Sequence, residues 1–298
     1  MTTDAESEWG LFPKVVNNTL KAMEGKKFYL QIQAMEFYIC QCFDLLDPAK
    51  KGIRVDHNGV CASTSVRIEK IEDLSAVLQM IFKQRVARAT KMNQADKSHT
   101  GSSRSHAALI LTLYQLIDKE YQKTEFHLVD LAGAERPDKA GGERSNGTDV
   151  MMALQSGKPL EIGQQGFLIN FELTGIGQVC IDVTDAHRKG KKVQAPRAMT
   201  PPLIFYMFKL LDGGCVMNMI ICLSLAPQNG WETWFSLQFG QNLNKLAVKI
   251  PQVQLRNLVK ALKEATSQEQ EFKKKCEGPV TKNTPVFKEF HRRALYEV

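Results

Sequence analysis

Two short polar signatures, each set at the end of an apolar strand-like run, constrain this chain more than anything else in it. The first is Ser102-Ser-Arg-Ser-His106, directly before the run Ala107–Ile117. The second is Val129-Asp-Leu-Ala-Gly-Ala-Glu-Arg136, closing the run Phe126–Leu131. The charged stretch Asp118–Lys123 between the runs reads as a turn. Strand ends are where layered α/β sheets bind ligands, so both signatures are candidate binding segments. An Asp-x-x-Gly after an apolar strand suits a nucleotide switch. Its carboxylate can reach a metal-bound water, and its glycine lets a backbone N–H approach a γ-phosphate. Hydroxyls of the first segment could ligate Mg²⁺ or orient an attacking water. Alone, each segment is common, as a strand-end turn or a serine-rich loop; their conjunction across one strand and one turn is not.

The rest of the chain supplies a layered context. Pro13–Met23 reads as a helix, with Val15, Val16, Leu20 and Met23 on one side and Gly25 ending it. Phe28–Leu46 reads as one long strand or two short ones, and Glu72–Thr90 has helical spacing. After Leu131 the chain is glycine-rich and polar to about Gln165, a loop of the length that usually carries function. Helices are expected over Phe167–Val183, Leu203–Leu211, Trp231–Val248 and Gln254–Glu264, and a buried strand over Val216–Leu225. Strands alternating with helices predict an α/β layered fold.

Composition narrows the class. The hydrophobic share is 43% and the charged share 24%, ordinary for a globular chain. Seven cysteines without C-x-x-C pairs indicate neither a disulfide framework nor a zinc site, so a reducing, cytoplasmic setting is expected. The six histidines show no ligand spacing. No run of the roughly 18 apolar residues needed for a membrane span is evident, so no membrane insertion is expected. A net charge of +7 favours an anionic partner. Nucleic acid is not that partner on this reading, because the basic cluster lacks interleaved aromatics. The cluster is Arg188, Lys189, Lys191, Lys192 and Arg197.

The paired signatures resemble switch I and switch II of the kinesin motor domain in wording and spacing. Other segments follow in the right order. Met35-Glu-Phe-Tyr38 with Phe43-Asp-Leu-Leu-Asp47 is similar to the family's "E-I-Y-N-E…-D-L-L" strand. Gly166–Gly177 is similar to the helix after switch II, usually "I-N-x-S-L-x-x-L-G", and Met219–Gly240 resembles the last core strand and helix. The resemblance implies a P-loop NTPase layered fold with a central, mostly parallel or mixed sheet and helices on both faces. It implies ATP and Mg²⁺ as cofactors and microtubules (tubulin) as partner, in the cytoplasm on the cytoskeleton or axoneme. It also implies roles: Ser102, Ser103 and Ser105 beside Mg²⁺ and the γ-phosphate, and Arg104 with Glu135 as the salt bridge that closes the switches. Asp130, with Ser103, would hold the metal, Asp130 through water; Gly133 would sense the γ-phosphate. The basic cluster would face acidic tubulin, raising the encounter rate.

The sequence departs from the family's pattern in one large respect. No G-x-x-x-x-G-K-[ST] occurs anywhere. Gly25-Lys-Lys27, Gly157-Lys-Pro159 and Gly190-Lys-Lys192 lack the upstream glycine and the hydroxyl. Met1 aligns near the methionine that closes the family's loop motif, so the expectation is a motor segment over 1–248 without its N-terminal strands and phosphate loop, followed by a helix and charged tail over 249–298. Those strands would come from a missing N-terminal segment or a partner chain. The wording between Arg188 and Leu211 also differs from "P-Y-R-D-S-K-L-T-R-L-L". Two functions follow: an ATP-dependent microtubule motor whose phosphate loop lies elsewhere, or a non-catalytic module on microtubules or axoneme. In the second case the chain has no cofactor.

Overall fold

The computed structural model describes residues 6–47, 49, 53–55, 63–92, 105–133, 146–156, 160–196, 200–212, 215–246 and 254–277. Its centre is a long strand, β1 (Phe28–Tyr38), with β2 (Gln41–Asp44) and β3 (Ser65–Arg67) along one edge. Along the other edge run β4 (His106–Ile117), β5 (Glu120–Asp130) and the short β6 (Leu255–Asn257), giving the order β2-β1-β4-β5-β6. Every pairing among the described residues is antiparallel. The layered α/β architecture is therefore as expected, but the parallel part of the expected sheet is not among these strands. Tight turns join β1 to β2 and β4 to β5, and such connections permit only antiparallel neighbours.

The β4–β5 turn is shorter than its charge suggested. Asp118, at φ 54°, reverses the chain with Lys119, and pairing resumes at Ile117↔Glu120. The charged residues up to Lys123 thus belong to β5. Tyr121 lies beside Tyr114, ring centroids 6.1 Å apart, and such aromatic contact favours strand over loop.

Side-chain alternation builds two cores. Leu30, Ile32, Ala34 and Leu111 point to one face, where Phe12 and Val16 of α1 (Leu11–Ala22) and Leu74, Val77, Leu78 and Ile81 of α2 (Ile71–Met92) cover them. Met35, Phe37, Ala108 and Ile110 point to the other, against α4 (Ile162–Arg188) and α5 (Pro202–Leu211). The register explains the sorting: Met35 faces Ala108 and Ile32 faces Leu111, and directly opposed residues share a face. Helices on both faces are thus observed.

Within the expected long loop lie α3 (Gly147–Ser156) and the start of α4. The side chain of Gln164 and the N–H of Glu161 form one half of a capping box that begins α4. By length and composition α4 could cross a membrane, which the sequence reading overlooked because glycines and polar residues interrupt its apolar face; here it packs on α5 and the sheet. Gly175 permits that packing, since a Cβ there would stand 2.2 Å from Cδ1 of Ile204. Pro202 at the first turn fixes the start of α5, whose side chains are almost all buried.

The C-terminal third departs most from expectation. Val216–Leu225 is extended but belongs to no strand, and Val216, Ile220 and Leu225 are 62%, 83% and 100% exposed. Met217 and Met219 turn inward onto the α4–α5 core. The apolar run that predicted a buried strand is present, but the segment pairs with no described strand and its outer side is left exposed. Helix α6 (Gly230–Asn244) follows, with Trp231, Trp234 and Phe235 exposed. The last helix, α7 (Leu258–Glu277), starts later and runs longer than expected, because Leu255–Asn257 pairs with β5.

Candidate functional site

The β4–β5 register decides where the two signatures meet. Ala107 pairs with Asp130, so the chain entering β4 and the chain leaving β5 lie at one end of the sheet. The N–H of Ala132 donates to Nδ1 of His106 at 3.0 Å, fastening the second segment to the first. On the other side of β4, Ser105 gives its hydroxyl proton to Oε1 of Glu36 on β1 at 2.7 Å. Helix α4 closes the group: Oε2 of Glu172 lies 3.7 Å from Nε2 of His106. Glu36, Ser105, His106 and Glu172 are all buried, Glu36 with its partner Ser105 on the α2 side of the sheet and His106 with Glu172 on the α4 side.

Burial dominates the electrostatics. Desolvation pushes His106 down to about 4, with the charge of Asp130 working weakly the other way. The imidazole is neutral at pH 7, and with Nδ1 accepting from Ala132 its proton sits on Nε2. Burial pushes Glu172 up to about 7, the N–H of Cys40 pulling slightly down. The Cys40 thiol is raised to about 12, first by burial and then by the charge of Glu172.

The predicted site residues divide. Ser102, Ser103, Arg104 and Glu135 lie outside the described residues, and with them the expected Arg104–Glu135 bridge. Ser105 is described, and its hydroxyl is engaged inward with Glu36 rather than presented at the rim. Asp130 stands at the rim, where its Oδ2 is 3.0 Å from Nη1 of Arg85 on α2. Gly133 is exposed, leaving its backbone open to an approaching group. Arg188 and Lys189 sit at the C-terminal end of α4, both paired with Asp185, at 2.8 and 3.9 Å. Cations there also complement the helix dipole. Gly190, at φ 60°, turns the chain so that Lys191 and Lys192 face solvent; Arg197 lies outside the described residues. The basic cluster is about 24 Å from Glu172 along the helix axis at 1.5 Å per residue, a separate surface from the strand-end site.

Sequence reasoning gave no role to Glu36, Arg85, His106 or Glu172. One signal was available for the last of these. Glu172 is the only acid between Phe167 and Ile181, on a helix otherwise patterned for the core.

Comparison with known proteins gives these segments their context. The family model for the kinesin motor domain matches residues 1–156, just over half of the chain. The chain belongs to the kinesin motor-domain family. The Arabidopsis thaliana kinesin-like protein KIN-1 is 27% identical over 247 residues, covering 79% of this chain and 48% of that protein. The Drosophila melanogaster kinesin heavy chain is 27% identical over 285 residues, covering 92% of this chain and 25% of that protein. This kinesin-family chain thus spans half or less of the length of these relatives. A solved KIF14 dimer, in a two-heads-bound state with AMP-PNP on a microtubule, is similar in fold: TM-score 0.64, 22% identity, 87% of this chain and 71% of that one.

The kinesin family uses ATP with Mg²⁺, and the residues present fit only one end of that group. The carboxylate of Asp130 and the open backbone at Gly133 suit a terminal phosphate and its metal. The stacked amides, lysine and hydroxyl that hold the β-phosphate have no counterpart, because the sequence contains no G-x-x-x-x-G-K-[ST]. Asp130 is moreover already engaged by Arg85.

Proposed function

We propose that this chain is the switch-bearing portion of a nucleotide-dependent microtubule motor, its phosphate loop supplied by sequence beyond these 298 residues. The observation that supports the reading is the Ala132–His106 hydrogen bond, which ties the last residue of Ser-Ser-Arg-Ser-His to the Asp-x-x-Gly segment. In this reading Asp130 and Ser103 hold Mg²⁺, Ser102 lines the γ-phosphate side, Gly133 senses the phosphate, and Arg104 and Glu135 close over the attacking water. The motor portion is 1–248, with 249–298 an appended helix and charged tail. Val216–Leu225, which pairs with no described strand, fits the same reading as a segment whose neighbour is supplied by a preceding segment or a partner chain. Lys189, Lys191 and Lys192, with Arg188 and Arg197, supply the acidic-tubulin contact.

The test compares the 298-residue chain with one extended upstream through its genomic reading frame. The extended chain is expected to hydrolyse ATP faster when microtubules are added, and an Asp130→Ala variant of it to lose that turnover. A reading frame with no G-x-x-x-x-G-K-[ST], or an extended chain without turnover, overturns the motor reading. That outcome favours the second reading, a non-catalytic microtubule module, which the missing phosphate loop supports. Its signature is co-sedimentation with microtubules that ATP does not change.

A further inference from the structure

The Glu172 carboxylate and the His106 ring face each other inside the protein. Nε2 of His106 has no partner in bonding geometry, and Oε2 of Glu172, a carboxylate that the N–H of Cys40 also approaches, lies 3.7 Å from it. The other ring nitrogen is committed, since Nδ1 accepts the N–H of Ala132 at 3.0 Å. A neutral imidazole has one proton for two nitrogens, and the group facing one nitrogen decides what the other can do. With an acceptor in front of Nε2 the proton stays there, and Nδ1 is bare to receive Ala132. With the proton on Nδ1, two donors would confront each other and the segment Ala132–Gly133 would lift from β4.

We propose that Glu172 is a positioning residue: from α4 it selects the His106 tautomer that holds Ala132, two residues past β5, against the sheet. The titratable groups around the pair are Cys40 in the β1–β2 turn, which acts on Glu172, and Asp130 on β5, which acts on His106. Neither competes for Nε2. Glu36, opposite Ala107 on β1, is bonded to Ser105 and lies on the other face of the sheet. The inference concerns the protein without nucleotide, so it stands or falls independently of whether the chain, extended or not, turns over ATP.

Nitrogen-detected NMR of the full chain reads the tautomer, and amide hydrogen exchange reads the Ala132 N–H. Wild type is expected to show Nε2–H with a bare Nδ1 and a protected Ala132 amide. Glu172→Gln still offers an oxygen to Nε2–H and is expected to keep both signatures. Glu172→Leu cannot, and is expected to mix the tautomers and speed Ala132 exchange about tenfold, one hydrogen bond's worth. The amide of Leu111, in mid β4, is expected to be unchanged in that variant and excludes general loosening. An Nδ1–H tautomer in wild type overturns the proposal even if Glu172→Leu fails to fold. So does a Glu172→Leu protein whose Ala132 remains as protected as in wild type.

Discussion

Replacing Glu172 by glutamine removes a carboxylate that burial raises from 4.5 to about 7 while keeping its shape. A raised acid pKa means that the folded state holds a proton the unfolded chain has released, so Glu172 contributes stability below about pH 4.5 that is lost as the pH rises through about 7. A shift of about 2.5 units corresponds to about 3 kcal/mol. His106 works oppositely. Its pKa falls from 6.5 to about 4, so its contribution is full above pH 6.5 and is lost as the pH falls through about 4. Between about pH 4.5 and 6.5 folding takes up one proton at Glu172 and releases one at His106, and the two slopes cancel. Wild type is therefore nearly flat there with respect to this pair. Glu172→Gln leaves the histidine slope uncompensated, and its stability relative to wild type is expected to rise by about 3 kcal/mol from pH 4.5 to pH 7.5. Urea melts followed by tryptophan fluorescence at half-unit pH steps give the difference directly, because other titrating groups cancel between the two proteins. A difference independent of pH would refute the reasoning, and so would a Gln protein less stable than wild type at pH 8.

Other consequences can be checked more briefly. Gly175→Ala should destabilise by about 1–2 kcal/mol, because the clash with Ile204 outweighs the better helix propensity of alanine, and Ile204→Val in the same chain should recover most of the loss in a denaturant melt. Arg85→Ala should cost under about 1 kcal/mol, since the ion pair with Asp130 sits at the rim in water. Lys189→Ala/Lys191→Ala/Lys192→Ala should lower microtubule co-sedimentation about tenfold at low salt and much less at high salt, as expected for screened steering charges. Glu125 is held down at about 2 by hydrogen bonds from His127 and then Lys123, so its stabilising contribution is present above pH 4.5 and lost as the pH falls toward 2. Glu125→Gln should accordingly flatten the acid limb of an equilibrium melt.

The meeting of His106 with the segment after Asp130 was legible because the wording is local. A serine-rich segment before an apolar run and an Asp-x-x-Gly after the next one fix themselves at strand ends, and the antiparallel hairpin between them sets both at the same end. The helices were legible for the same reason, since periodicity over ten or more residues is hard to mistake. Partner choice across the sheet was not legible. Glu36, His106 and Glu172 are separated by tens of residues, and each alone reads as a polar residue in an apolar element. Only the β1–β4–β5 register and the seat of α4 set Glu36 beside Ser105 and His106 beside Glu172. Arg85 escaped notice likewise, because its partner Asp130 lies 45 positions away.

Val216–Leu225 failed for a different reason, and the failure is informative. A nearly continuous apolar run of strand length says that a segment would be buried on both sides; it does not say that the covering layers are present. One side of the segment found its complement in the α4–α5 core through Met217 and Met219, and the other side did not. The segment's backbone, which pairs with no described strand, therefore offers itself to a further one. Such a strand would serve a motor and a non-catalytic module alike, so the packing of Val216–Leu225 bears on the sheet and not on catalysis.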